Sequence, residues 1–312
     1  MKHTLKGIIV VVALIAFACG SKSSPETTTT AQLSGEIKVD GSSTVYPITE
    51  AIAEEFRAGQ PDVRVTVGVS GTGGGFKKFG RGEIDINDAS RPIKEAESKA
   101  CEESNIKFID LKVAYDGLAV IVNKENTWIT SITTEELKKL WEPAAQGKIT
   151  MWNQVRAEWP AEEIHLYGPG VASGTYDYFT EVIVGESGSS RGDYTASEDD
   201  NVLVQGIMGD KNAIGFFGYA YFVENSENLK LVAVDNGNGN GAVLPSEETI
   251  RTGSYAPLSR PVFIYVTDGA AHRAEVSSFI TFYLSKASSI VHEVGYVPLP
   301  EQDYKDALAR FT

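Results

Sequence analysis

The sequence predicts an α/β fold with mostly parallel sheets. Three observations carry that reading. Strand-like runs, such as "DVRVTVGVS" with valines at 63, 65, 67 and 69, alternate along the chain with helix-like runs. Three strand-to-helix junctions share a Gly/Ser/Thr character: Gly41-Ser42-Ser43-Thr44, the run from Ser70 to Gly75, and Ser173-Gly174-Thr175. No repeat of 20–50 residues competes with a layered fold.

The elements follow in order. Residues 1–18 read as a signal peptide, with Lys2 and Lys6 ahead of the apolar run "GIIVVVALIAF" (7–17). That run is too short to span a bilayer as a mature helix. Ala18-Cys19 follows at once, so Cys19 is expected to carry lipid as the new N-terminus. Residues 19–34 read as the lipidated Cys and a flexible polar tether. "EIKV" is a strand. A helix starts near Pro47, because Ile48, Ile52 and Phe56 recur at helical spacing and Gly59 with Pro61 ends the run. A strand in 62–70, a short helix behind the Gly-rich loop, a strand in "IDINDASRPI" and a helix in "KEAESKACEESN" come next. "IKFIDLKVAYDGLAVIVN" is strand-rich, "TTEELKKLWEP" a capped helix, "EIHLY" a strand and "TYDYFTEVIVG" a helix. "DDNVLVQGIMGDKNAIGFFGYAYF" gives a helix then a strand. "SRPVFIYV" is the last strand, and two helices close the chain.

Charge and cysteine count narrow the function. Of 312 residues, 28 are Lys or Arg and 42 are Asp or Glu, a net charge of −14. Loss of Lys2 and Lys6 with the leader makes the chain more acidic still. Such a chain is not a nucleic-acid binder. An anionic small ligand survives this test, because a buried site obeys its local donors rather than the net charge. Cys101 is the one Cys in the folded part, so no intramolecular disulfide forms.

Ligands of open α/β sheets sit beyond the carboxyl ends of the strands. The three Gly/Ser/Thr junctions would converge there as a cage of N–H and O–H donors, which suits a tetrahedral anion. Arg91 in "NDASRPI" would add a fixed charge and a planar fork, if it does not serve as a surface salt bridge. Pro92 restricts it to an extended conformation. "GPGVASG" is not a Gly-x-Ser-x-Gly elbow, and "SGTGGGFKK" lacks the Gly-Lys-Ser/Thr ending of a P-loop. His165, His272 and His292 fall in no catalytic motif, and no His/Cys cluster suggests a metal. No cofactor is expected.

Together the stretches "VDGSSTVYPITEAIAEEF", "GVSGTGGGFKKFGRGEIDINDASRPI", "AYDGLAVIVN", "LYGPGVASGTYDYF", "ASEDDNVLVQGI", "AIGFFGYAYF" and "YAPLSRPVFIYV" resemble the phosphate-binding lipoproteins of ABC-type phosphate importers, the PstS and SphX-like family. The resemblance covers almost the whole chain after the tether. It implies a two-lobe periplasmic-binding-protein fold of type II with the ligand cleft between lobes. Lobe one would be residues 35–114 plus 257–312, and lobe two 115–256. It implies capture of inorganic phosphate for a membrane permease, without catalysis, by a monomer exported and lipid-anchored to a bacterial membrane. Carried over by motif, the ligand residues would be Ser43, Thr44 and Val45 (by its backbone), Ser70, Arg91, and Ser173, Gly174 and Thr175.

This sequence departs from the family in two places. Other branches carry Asp where Arg91 stands and Arg where Pro169 stands. The arginine has therefore moved between lobes, and Arg91 is expected to be the only formal positive charge on the ligand. Ala172 replaces an Asp common in close relatives. The carboxylate that would accept the ligand's proton is thus unassigned, with Asp40, Asp88 and Asp116 as candidates. Three alternatives remain open at this point: another oxyanion such as sulfate, molybdate or arsenate; a phosphate-ester hydrolase; and an adhesion lipoprotein.

Overall fold

A computed structural model describes residues 32–311. The expected signal segment, Cys19 and the tether up to residue 31 lie outside the described residues. Among those described, no helix is long and apolar enough to cross a membrane.

The strands are β1 (Gly35–Gly41), β2 (Val63–Val67), β3 (Ile86–Ala89), β4 (Phe108–Asn123), β5 (Ser131–Thr133), β6 (His165–Pro169), β7 (Thr195–Ser197), β8 (Ala213–Gly218), β9 (Leu229–Leu231), β10 (Ala233–Asp235), β11 (Ser259–Thr267) and β12 (Val297–Pro298). Their order in the main sheet is β2-β1-β3-β11-β4-β8-β6-β7, with β12 and β9 also on β4, while β10 pairs with β5. At each end the strands run parallel: β1 with β2 and β3, and β6 with β7 and β8. The two central strands, β4 and β11, run antiparallel to their neighbours.

Strand β4 explains the continuity. Its first part pairs with β11 and its second with β8, so one strand of 16 residues joins the two halves of the sheet. Its nearly unbroken apolar second half, "LAVIVN", is buried throughout, as expected of a central strand. In the register, Asp116 lies opposite Arg260 and Tyr115 opposite Pro261.

Two separate cores flank this crossing. At one end the helix Tyr46–Gly59 buries Ile48, Ile52 and Phe56, four residues apart, and the long helix Ala274–Glu293 packs Phe279 and Tyr283 into the same cluster. At the other end Trp141, Phe179 and Phe216 meet. Phe179 and Phe216 stack at 3.7 Å, and Trp141 meets Phe216 edge-on at 4.9 Å. Such ring pairs add about 0.5–1.5 kcal/mol each beyond the area they bury.

Local chemistry sets the element ends. Thr133 Oγ1 accepts from Glu136 N at 3.1 Å while Glu136 Oε2 accepts from Thr133 N at 2.9 Å, a reciprocal cap on the helix Thr134–Trp141. The helix after Ser173 differs from its sequence pattern. It is α-helical over Gly174–Phe179 and then widens into a π-turn over Thr180–Val184. At the junction the Thr180 hydroxyl donates to Tyr176 O at 2.8 Å, alongside the backbone N–H of the same residue. The short strands β5, β7, β9 and β10 have no clear sequence pattern, since three residues cannot display a period.

Candidate functional site

The Gly/Ser/Thr loops after β1, β2 and β6 meet, as their shared composition predicts, and the Arg91 loop after β3 joins them. They meet through backbone contact. A Cβ on Gly174 would lie 2.7 Å from both N and Cα of Thr44 and 2.9 Å from Ser43 C, so only glycine allows this approach. Thr44 Oγ1 donates to Gly174 O at 3.5 Å, and Ser43 Oγ donates to Asp177 Oδ2 at 3.3 Å. The Tyr296 hydroxyl fixes the loop from beneath by donating to Thr44 O at 2.6 Å.

Two cavities open on either side of this contact, and Ser43 lines both. The first, of about 320 Å³, is lined by Ser42, Ser43, Thr44, Thr72, Ser90, Arg91, Lys94, Asp177, Glu181 and Arg260, among others. The second, of about 380 Å³, holds Ser173, Gly174 and Thr175 together with Asp116, Glu198, Asp200 and Tyr296. The predicted ligand set is therefore divided: Thr44 and Arg91 face the first space, Ser173–Thr175 the second. A groove of about 360 Å³ on the outer face beside β2, with Glu50, Glu54, Arg57 and Arg64, touches none of these loops.

Several expected donors are engaged elsewhere. Val45 is fully buried, and its N–H donates to Ser42 O. Ser70 lines neither cavity; its hydroxyl donates to Asp40 Oδ1. Thr72, two residues on, is the hydroxyl of that loop on the first cavity. It accepts from Ser90 N at 3.1 Å and bonds Ser90 Oγ at 3.0 Å. Gly71, in a left-handed conformation (φ 75°), makes the turn that carries Thr72 there. Ser173 Oγ accepts from Thr175 N at 3.2 Å and so caps its own helix.

Three cations, Arg91, Lys94 and Arg260, line the first cavity, where the sequence pointed to Arg91 alone. Arg91 itself is a bidentate partner of Glu97, at 2.8 and 2.9 Å. Burial raises the Glu97 carboxyl, but the bonds from Arg91 and from Lys94 N–H more than offset this and hold it below its ordinary value. Arg260 is the residue that sequence reasoning missed. Its Nη2 donates to Thr44 Oγ1 at 2.9 Å, its Nε donates to Asp116 Oδ2 at 3.3 Å, and its guanidinium carbon sits 3.5 Å from the Tyr178 ring centroid. A signal existed: Ser-Arg-Pro occurs twice, at 90–92 and 259–261, and both arginines face this cavity.

The three carboxylates weighed as proton acceptors all have other partners. Asp40 is desolvated, but Lys78 and Ser70 hold its carboxyl below the usual range. Asp88 is fully buried, which pushes it up to about 8, and it accepts from Thr49 Oγ1 at 3.0 Å. Burial also raises Asp116, against the pull of Arg260. In the first cavity the carboxylates are instead Asp177 and Glu181. Among the described residues, Asp177 makes no ion pair, whereas Glu181 Oε2 lies 3.8 Å from Arg260 Nη1. In the second cavity, burial and then the charges of Asp199 and Glu198 push Asp200 up to about 6.

This geometry has relatives. A model of the PBP superfamily domain matches residues 26–287. Protein SphX of Synechococcus elongatus is 54% identical over 275 residues, which is 88% of this chain and 81% of that protein. The phosphate-binding protein PstS of Staphylococcus saprophyticus is 38% identical over 297 residues, 94% of this chain and 89% of that protein. A crystal structure of a possible phosphate binding protein from Planctomyces limnophilus superposes with a TM-score of 0.86 at 48% identity, covering 90% of this chain and 98% of that one. The chain belongs to the PBP superfamily, in the group that holds the SphX and PstS proteins.

Proposed function

We propose that this chain captures inorganic phosphate at the junction of the β1, β2, β3 and β6 loops and delivers it to an ABC permease. The observation that carries the reading is the first cavity, where hydroxyls of Ser43, Thr44, Thr72 and Ser90 surround a space with Arg91, Lys94 and Arg260 on its wall. Donors of this kind and number suit a tetrahedral anion. Ser173, Gly174 and Thr175 close on the ligand from the β6 side, with Ser43 common to both spaces. Ser70 and the Val45 N–H support the loops rather than the ligand, as their present bonds suggest.

Residues 35–114 with 257–312 form one lobe in this reading, and 115–256 the other. The chain passes between them at Tyr115–Gly117 and Ser259–Pro261, and closure brings Gly174 onto Thr44. The protein acts by binding alone, as an exported monomer held to a bacterial membrane through lipid on Cys19. Asp177 favours phosphate over sulfate, because a carboxylate without a cation partner accepts the P–OH of hydrogen phosphate and repels an anion with no proton to give.

Calorimetry of the full chain in detergent tests this. Phosphate should bind at least about tenfold tighter than sulfate, or about 1.4 kcal/mol. Equal affinities, or heat from neither anion, would reject it. Small-angle scattering should show compaction on phosphate addition.

A further inference from the structure

We infer that Arg260, not Arg91, is the guanidinium that grips the bound anion. This deepens the phosphate reading and rests on it. The two arginines share a tripeptide and a cavity, but their forks are in different states. Both Nη atoms of Arg91 already donate to Glu97, one to each carboxylate oxygen. A bidentate pair of that geometry leaves little to offer a ligand, and withdrawing it would strand Glu97. The Arg91 side chain is also the more exposed of the two, 28% against 15%.

Arg260 is half-buried but unsaturated. Its Nε bond to Asp116 is long, Nη2 makes one bond, and Nη1 makes no hydrogen bond among the described residues, with Glu181 Oε2 3.8 Å away. Arg260 carries five N–H groups, so most of its fork is open toward the cavity. Burying a cation in that condition is costly unless something completes its bonds. An acceptor-rich dianion would do so.

The fold holds the side chain ready. Arg260 stands directly opposite Asp116 in the β4–β11 register, and Pro261 keeps the backbone extended. Asp116 on one side and the Tyr178 ring beneath it fix the plane of the guanidinium. Its present partner, Thr44 Oγ1, is itself an expected ligand donor. The same guanidinium therefore touches the loop after β1 and the helix after β6. An anion seated against it would be held by groups from both ends of the sheet.

The test is calorimetric titration of the full-length parent and three variants with phosphate, sulfate and arsenate, with the melting midpoint and circular dichroism recorded for each. Arg260→Met keeps an apolar stem over Tyr178 and removes the fork. It should weaken phosphate binding at least thirtyfold while the fold is retained. Arg260→Lys restores charge without the fork and should fall between, three- to tenfold below the parent. Arg91→Ala should lose tenfold at most. Arg260→Met within threefold of the parent overturns the inference. If that variant does not fold, Arg260→Lys decides: affinity within twofold of the parent shows that no fork grips the ligand. If the parent binds sulfate or arsenate but not phosphate, the phosphate reading falls and the arginine comparison is read on the anion that binds. A parent that binds none of the three overturns both.

Discussion

The two cavities that meet at Ser43 are similar in size and opposite in charge. One carries Arg91, Lys94 and Arg260 against Asp177 and Glu181; the other carries Asp116, Glu198 and Asp200. Both have hydroxyls to offer. Hydrogen-bond donors alone therefore do not pick the side on which an anion settles; the neighbouring formal charges do. Burial, and then the charges of Asp199 and Glu198, raise the Asp200 carboxyl on the acidic wall.

The contact that divides the two spaces is the first place to test the comparison. Gly174→Val puts a branched side chain where Thr44 N and Cα stand 2.7 Å away. The loops must then separate. Phosphate affinity should fall at least thirtyfold, about 2 kcal/mol, and scattering should show a less compact ligand-saturated state. Gly269→Ala is the control, since nothing lies within 4 Å of a Cβ there and it lines neither cavity. Parent-like affinity in Gly174→Val would mean that the approach of these loops is unrelated to binding.

Arg91→Ala asks how much a cation contributes when its fork is already held. Its charge still faces the cavity, so some loss is expected, about three- to tenfold or 0.7–1.4 kcal/mol. A loss as large as that of Arg260→Met would show that Glu97 releases Arg91 to the ligand. Glu97→Gln sharpens the point: it frees the fork, and affinity should stay level or rise.

Much of the architecture is legible in the sequence, because helices and long strands display their periods. The spacing of Ile48, Ile52 and Phe56 and the capped helix in "TTEELKKLWEP" are read directly from residue order. The convergence of the Gly/Ser/Thr loops also follows from their placement after strands. The wiring of the site is less legible. Ser70 and Thr72 are chemically alike, and only the turn at Gly71 decides which hydroxyl faces the cavity. Arg260 lies 169 positions from Arg91, and its importance depends on a cross-strand register with Asp116 that no local pattern encodes. The change from α-helix to π-turn at Thr180 is a change of pitch that spacing does not reveal.

The smallest expected effect concerns the acidic cavity. Burial and the charges of Asp199 and Glu198 raise Asp200 to about 6, above its value in the unfolded chain. The folded state therefore binds more protons than the unfolded state between about pH 4 and pH 6. Stability from this group is present below that window and is lost as pH rises through it. Asp200→Asn removes the titration. Its melting midpoint should stay level across pH 4 to 6.5, apart from the background shared with the parent, and should exceed the parent's by a few degrees at pH 7. The gain is about 1 kcal/mol or less, because Asp200 lines an open space and retains some solvent. A parent slope that survives unchanged in Asp200→Asn would show that the acidic wall does not raise this carboxyl.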